Sequence, residues 1–272
     1  VYKRQFINDT GLLVIPLLYH KVFEFHDSLA LVKKGDNYGF IDHQGNVAIP
    51  FEYSAAWNFV IHGLASVRKD EKWGFINKKN EIVVPIIYNF VQGFTGNLVG
   101  VGKDGKIGLV NAQGTVVMPT FCDQVGDFSE GLIAVSRKEQ GGYMTEDGKL
   151  KIQMIYHATT PFSEGLAAVS FNKKWGYINQ EGKEIIPLQY DKTTPFKNGG
   201  AKVMQGGKWT LINQQNQVIL TQDYDLFADF VEDLAQVHKN GKIGFINQQG
   251  KEVVPLIYDT CANPNFLDGM VA

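Results

Sequence analysis

The sequence predicts an all-β repeat protein, and three observations carry that prediction. The stretch "KWGFINKKNEIVVPIIY" at 72–88 returns as "KWGYINQEGKEIIPLQY" at 174–190, and self-similarity at a fixed period is the mark of a repeat architecture. Apolar residues alternate with period two in short runs bounded by turn residues, as half-buried strands require. No stretch longer than a few residues keeps a helical period.

Aligned on the glycine of this motif, the equivalent positions are Gln5, Gly39, Gly74, Gly108, Gly142, Gly176, Thr210 and Gly244, which lie 34 residues apart except for one step of 35 between Gly39 and Gly74. Eleven residues after the glycine comes a proline in most copies, such as Pro85, Pro187 and Pro255. A tyrosine follows at the fourteenth position, such as Tyr88, Tyr190 and Tyr258, and a phenylalanine at the twentieth, such as Phe59, Phe162 and Phe196. Nothing is inserted between glycine and tyrosine in any copy, so this segment is the rigid part of the unit. The extra residue near 60–62 falls where a loop absorbs it.

The elements follow in order. In "LAAVSFN" at 166–172, Ala167 and Val169 face one way and Leu166, Ala168 and Ser170 the other. The inward pair recurs from Ala30/Val32 to Ala235/Val237, and small apolar residues at one depth imply that strands crowd there. A polar turn such as "RKDEK" at 68–72 leads to the Trp-Gly strand, with Trp73 and Phe75 on one face and Ile76 on the other. A second turn, "QEG" or "QQG", leads to "EIIP" or "EVVP", whose consecutive β-branched residues suit a sheet covered on both sides. The proline ends this strand or sits at the sheet edge, having no N–H to donate.

The constant residues Trp73, Gly74, Tyr88, Trp175, Gly176, Tyr190 and Tyr258 are therefore structural: the aromatics supply buried area between units, and the glycine lets a ring or backbone come close. Two copies depart from the pattern and are expected to be distorted or specialised. "QGGYMTEDGKLKIQMIY" lacks both Trp and Pro, and "KWTLINQQNQVILTQDY" lacks Gly and Pro. Burial on both faces favours units packed side by side as a propeller-like toroid, a single domain over 1–272 with partial first and last units that together make up nearly one whole. An open β-solenoid or superhelix is the alternative, because 34 residues is short beside the roughly 40–45 of a four-stranded blade.

With 272 residues, 44% of them hydrophobic, the chain can bury a substantial core. Its formal net charge is -2, with Lys and Arg dispersed, which leaves no basic footprint for nucleic acid. The longest apolar runs, such as "LLVIPLL", fall far short of the roughly 20 residues of a membrane span. Cys122 and Cys261 match no disulfide or metal framework and read as small buried or half-buried residues. The histidines occupy different phases of the unit, save His20 and His157, which lie four units apart and so share no metal site. No nucleophile elbow is present, and "GKDGKIG" at 102–108 is a β-turn without the helix a phosphate site needs. The expectation is a protein without catalytic residues, cofactor or metal: not an enzyme.

"KWGFIN", "KWGYIN", "IGFIN" at 243–247, the following "VVP" or "IIP", the "YD" pairs at 190–191, 224–225 and 258–259, and "EGLAAV" at 164–169 together resemble the bacterial WG (or KWG) repeat family over essentially the whole chain. The resemblance implies a non-catalytic binding or scaffold module, exported to the cell envelope or surface, that acts on a protein partner. A carbohydrate or cell-wall ligand is the alternative. Because the repeated frame fixes the apolar positions, specificity is expected from residues that differ between copies on the outward face of the "LAAVSFN" strand. These are Arg68, Ser136, Ser170, Met204 and His238, with Ser66, Ala134, Ala168, Lys202 and Gln236 two residues earlier. Arg68, Lys202 and His238 are the candidate binding residues. Trp57, where no other copy has Trp, is expected in the core.

Overall fold

The computed structural model describes residues 3–7, 9–59, 61–220, 224–231 and 233–261. The chain divides into two compact units, Val1–Val125 with Glu146–Gly148, and Gly126–Thr145 with Lys149–Ala272. The described residues of the first unit form a two-stranded sheet (Arg4–Ile7, Leu13–Tyr19) and three four-stranded sheets; those of the second form three four-stranded sheets and one of three strands. In every sheet the strand order follows the chain, so each is an antiparallel meander. The protein is all-β, as the period-two patterning predicts.

One repeat shows how the sequence builds a sheet. Its strands are Ala158–Thr159, Leu166–Phe171, Lys174–Asn179 and Glu184–Tyr190. A short strand over the segment between tyrosine and phenylalanine thus precedes the "LAAVSFN" strand, which is second in the sheet. The second and third strands join through a two-residue turn with both residues left-handed, Asn172 at φ 49° and Lys173 at 63°. This mirror-image turn matches the right-handed twist of the strands it connects. The third ends on the Asn of the "GYIN" motif, whose Oδ1 accepts hydrogen bonds from the backbone N–H groups of Glu181 (3.2 Å) and Lys183 (2.9 Å). Asn77, Asn111, Asn213 and Asn247 close their turns in the same way, because an Asx side chain can stand in for a backbone acceptor.

The constant glycine governs the fourth strand. Tyr177 pairs with Ile186 and Trp175 with Tyr190, so Pro187, Leu188 and Gln189 all lie opposite Gly176. The proline therefore sits inside a bulge of the edge strand rather than ending it, where no ladder N–H is asked of it. At Gly74 a Cβ would stand 2.5 Å from the carbonyl oxygen of Val84 and 2.8 Å from the Cα of Ile86. Any side chain would lever the fourth strand off. Thr210 takes this place in one copy, and there, among the described residues, Lys208–Ile212 meets the following segment through isolated bridges, Trp209 to Tyr224 and Ile212 to Val218. Among the described residues this copy is irregular, as expected. The "QGGYMT" copy is not: it keeps Gly142 and buries Tyr143, and it forms all four strands, Gln124–Ser129, Leu132–Arg137, Gln140–Thr145 and Leu150–Tyr156.

Successive sheets within each unit pack face to face. Leu166, Ala168, Tyr177, Ile186 and Tyr190 of one sheet meet Phe196, Ala201, Val203 and Ile212 of the next, and Leu31, Phe40 and Tyr53 likewise meet Phe59, Ala65 and Val67. The aromatic that follows the constant glycine is capped by the phenylalanine 19 residues later, at ring separations of 4.9 Å for Phe40–Phe59, 4.8 Å for Tyr143–Phe162 and 4.7 Å for Tyr177–Phe196. These tilted contacts add to the area the rings bury. Cys122 is buried, with its Sγ 3.7 Å from Met118 Sδ.

The packing corrects four expectations. The supposed outward face of the second strand is covered by the next sheet: Ala134, Ala168, Ser66, Ser170 and Lys202 are buried, and Arg68, Ser136, Met204, Gln236 and His238 half-buried. Trp73 and Trp175 are only half-buried, because each stands near the hairpin end of its strand while the neighbouring Phe75 or Tyr177 takes the core place. Tyr258, on the edge strand Glu252–Tyr258, is 50% exposed. Trp57 is 68% exposed; it lies just past the short strand Ala55–Ala56, and Phe59 two residues on fills the core instead.

Gly74→Val should lower stability by roughly 3 kcal/mol, the upper part of the range for an overpacked site, whereas Thr210→Val should raise it by about 1 kcal/mol, since Thr210 Oγ1 is buried without a hydrogen-bond partner. Urea unfolding midpoints of the two variants check both signs. Equal midpoints for Gly74→Val and the parent would refute the role given to the glycine.

Candidate functional site

The residues common to the copies are occupied in holding the frame. The Lys of the motif pairs with the Asp after the constant tyrosine, Lys174 with Asp191 at 2.6 Å, Lys242 with Asp259 at 2.5 Å, and Lys106 with Asp123. Asp191 also accepts the backbone N–H of Gly206 at 2.8 Å, and Asp225 that of Asn240 at 2.9 Å. The Lys174 ammonium first, and then the Gly206 N–H, hold the Asp191 carboxyl below the usual carboxylate range. His20 and His157 take the place of this Asp in their copies: Nδ1 accepts from Gly35 N–H at 3.0 Å and from Asn172 N–H at 3.2 Å. Their shared phase thus has a structural cause.

The constant tyrosine reaches into the next sheet. Tyr53 donates its hydroxyl to Asn80 Oδ1 at 2.7 Å and Tyr190 to Asn216 Oδ1 at 2.6 Å, each acceptor being the left-handed residue of a turn. Burial, with help from the Glu52 carboxylate, pushes the Tyr53 hydroxyl up to about 12, and burial raises Tyr143 and Tyr177 as well.

What differs between copies is the groove beside the short first strand. In the second unit it encloses about 570 Å³ and is built around Lys202, on the strand Ala201–Gln205. The Lys202 ammonium pairs with Asp229, donates to the Phe227 carbonyl oxygen at 3.3 Å, and lies 5.4 Å from the Phe227 ring centre and 5.9 Å from that of Trp209. The lysine side chain is 10% exposed and that of Asp229 87%, so a buried cation presents its counter-ion to solvent. Phe196, Leu211 and Phe230 give the groove apolar walls, and Ser163, Thr194 and Lys197 add polar ones.

An equivalent groove lies in the first unit, enclosing about 340 Å³. Ser66 stands at the repeat position of Lys202, Trp57 at that of Thr194, Phe75 at that of Leu211 and Phe94 at that of Phe230. Of the three residues picked from sequence, Lys202 lines one of these two grooves, and Arg68 and His238 line neither. Arg68 is ion-paired with Glu71 across its own hairpin turn. His238, on the strand Leu234–Lys239, has Nε2 buried without a partner and does not line the Lys202 groove. Sequence reading missed Thr194 and Asp229, together with Asn58 and Gln92 of the first groove; the signal available was that Asn58 and Gln92 differ from all their counterparts, whereas Thr194 recurs as Thr160 and Asp229 as Asp127.

These features define a β-sheet repeat protein in which one frame carries copy-specific grooves. The chain belongs to the family described as WG containing repeat, which matches residues 6–38, 38–73, 73–106, 107–139, 142–175, 175–209, 209–242 and 243–271. No curated protein sequence matches it. Among solved structures it is similar to a eukaryotic initiation factor (8% identity, 96% of this chain and 85% of the other, TM-score 0.42). It is also similar to Hsv2p of Kluyveromyces lactis (8%, 84% and 93%, TM-score 0.40) and to PorZ, a surface component of the type-IX secretion system of Porphyromonas gingivalis (10%, 94% and 43%, TM-score 0.32). At such scores these likenesses support no statement about function. Among the described residues, no group of three or more His, Cys, Asp or Glu side chains is placed to hold a metal ion, and no helix is long and apolar enough to cross a membrane.

Two outcomes follow from this electrostatic arrangement. Folded Tyr53 keeps its proton up to about 12, while an unfolded tyrosine loses it near 10. The unfolded state therefore binds fewer protons in that window, and stability falls as pH rises through it. Tyr53→Phe should remove up to about 1.4 kcal/mol per pH unit of this alkaline slope, read from urea midpoints between pH 9 and 12; an unchanged slope would contradict the assignment. Asp229→Ala, which strands the buried ammonium, should cost roughly 1–2 kcal/mol, less than the 3–5 of a fully buried pair because Asp229 is exposed. Lys202→Met should be close to neutral, and a thermal melt of each variant reads the difference.

Proposed function

We propose that this chain is a non-catalytic recognition module that binds a protein partner through the Lys202 groove, as part of a bacterial cell-envelope or surface assembly. The observation that carries this reading is the division between occupied and variable positions. Motif carboxylates, amides and the two in-phase histidines are taken up by turns and strand ends, whereas the position of Lys202 is Leu31, Ser66, Gly100, Ala134, Ala168 or Gln236 in other copies. A charged pair over apolar walls, with one partner buried and the other open to solvent, has the character of a protein hot spot, where a desolvated charge and aromatic area act together. A protein ligand bearing a carboxylate would compete with Asp229 for the ammonium, and one bearing a guanidinium would meet Asp229 itself. The envelope placement is supported by the family resemblance, and fractionation of the native host tests it.

The double variant Lys202→Met with Asp229→Asn keeps the groove's volume and removes both charges. It should lose a stoichiometric partner that the parent chain co-purifies, with its circular dichroism and melting temperature within a few degrees of the parent. Undiminished recovery of the same partner would overturn the role of this groove and move recognition to the exposed faces of the edge strands.

A further inference from the structure

We infer that the first-unit groove is a binding site for a neutral saccharide, one pyranose ring stacking on Trp57. This inference is independent of the protein-partner reading, because the two grooves share no residue. Its volume of about 340 Å³ lies at the small end of the roughly 300–1,000 Å³ of small-molecule sites. The indole is 68% exposed on a backbone that is held in place, the Trp57 N–H donating to the Ser66 carbonyl oxygen at 3.0 Å. A large aromatic surface is thus offered to solvent at a fixed position, although the repeat pattern calls for no tryptophan there.

The polar groups around it are uncharged. Asn58 Oδ1 is buried and has no hydrogen-bond partner, a state that costs free energy unless a donor arrives. Ser66 supplies a hydroxyl from the second strand, and Gln92 a carboxamide from the first strand of the next sheet. The Gln92 side chain lies over Gly100, in space that any larger residue would fill; the same repeat position is Ala in two copies and Lys in another. Phe75 and Phe94 form an apolar wall, with ring centres 5.4 Å apart in an edge-on contact. Among the described residues, no Lys, Arg, Asp or Glu lines the groove.

A flat indole, a buried acceptor in need of a donor, a hydroxyl and a carboxamide complement a ring with one C–H face and a rim of hydroxyls. An anionic or cationic ligand would leave its charge unpaired in a half-enclosed, uncharged groove. The aromatic contact is of the kind that adds to area burial, and the carboxamides fix orientation by exchanging hydrogen bonds with the hydroxyl rim.

The experiment screens the purified full chain against an array of neutral hexose and N-acetylhexosamine oligosaccharides beside uronic-acid, sulfated and sialylated ones. The best neutral binder is then titrated by calorimetry. The expected result is binding confined to neutral glycans, weakened on the order of tenfold by Trp57→Ala, the loss of one aromatic contact. Asn58→Ala should weaken it as well, while Lys202→Met binds like the parent. Because Trp57 is largely exposed, its removal should leave the unfolding midpoint unchanged; if it does not, Trp57→Phe with Asn58→Ala serves in its place. Absence of binding to every neutral glycan, preference for the charged ones, or parent-like affinity of both the Trp57 and Asn58 variants would each overturn the inference. The co-purified partner of the Lys202 groove would be unaffected by any of these results.

Discussion

The close approach of the fourth strand to a residue without a side chain is the constraint from which the rest of each unit follows. With Gly176 at the contact, three residues of the edge strand crowd opposite one, and Tyr190 comes into register with Trp175. That register aims the tyrosine hydroxyl at the turn of the next sheet, where Asn216 accepts it. Thr210 shows the dependence from the other side. Beside its methyl and hydroxyl, the described residues of the following segment make isolated bridges, Val218 to Ile212 and Tyr224 to Trp209, where Gly176 has a seven-residue strand opposite it. The absence of insertions between glycine and tyrosine has the same origin, because one added residue would turn the tyrosine to the opposite face.

Between sheets, the contact is an aromatic relay. Where a ring follows the glycine, as at Phe40 and Tyr177, it is covered by the phenylalanine 19 residues later, which belongs to the following repeat, so that repeat completes the core of its predecessor. A lone sheet would leave one such ring bare. This is the physical sense in which repeats are stable together and not singly. The second strand, buried on both faces, is why its small residues Ala167 and Ala168 are adjacent: each face has a neighbouring sheet pressed against it.

Much of this was legible in the sequence, and the limits have identifiable causes. The period, the strands and the structural use of glycine, tyrosine and phenylalanine could be read because they recur. The interior character of Ser170 and Lys202 could not, because period-two alternation assigns residues to two faces without saying that both are covered. Trp57 was misplaced because tryptophan is usually buried, whereas here Phe59 had already taken the core place. The "YD" and "GFIN" motifs recur in the sequence, and the folded turns show which hairpins Asp191 and Asn179 close. The grooves were beyond reach for a different reason. Asn58 and Gln92, like Lys202 and Asp229, come from successive sheets, and nothing in their spacing marks them as neighbours.

The correspondence between Ser66 and Lys202 has an evolutionary meaning. Both side chains hang from the same point of the same frame, flanked by strands whose register is fixed elsewhere. A mutation at that point changes the chemistry of one groove while the others keep theirs, and duplication of a unit would hand the lineage a spare groove already folded. Molecules built this way can explore new ligands one copy at a time, so that specificity drifts along the chain while the architecture is inherited unchanged.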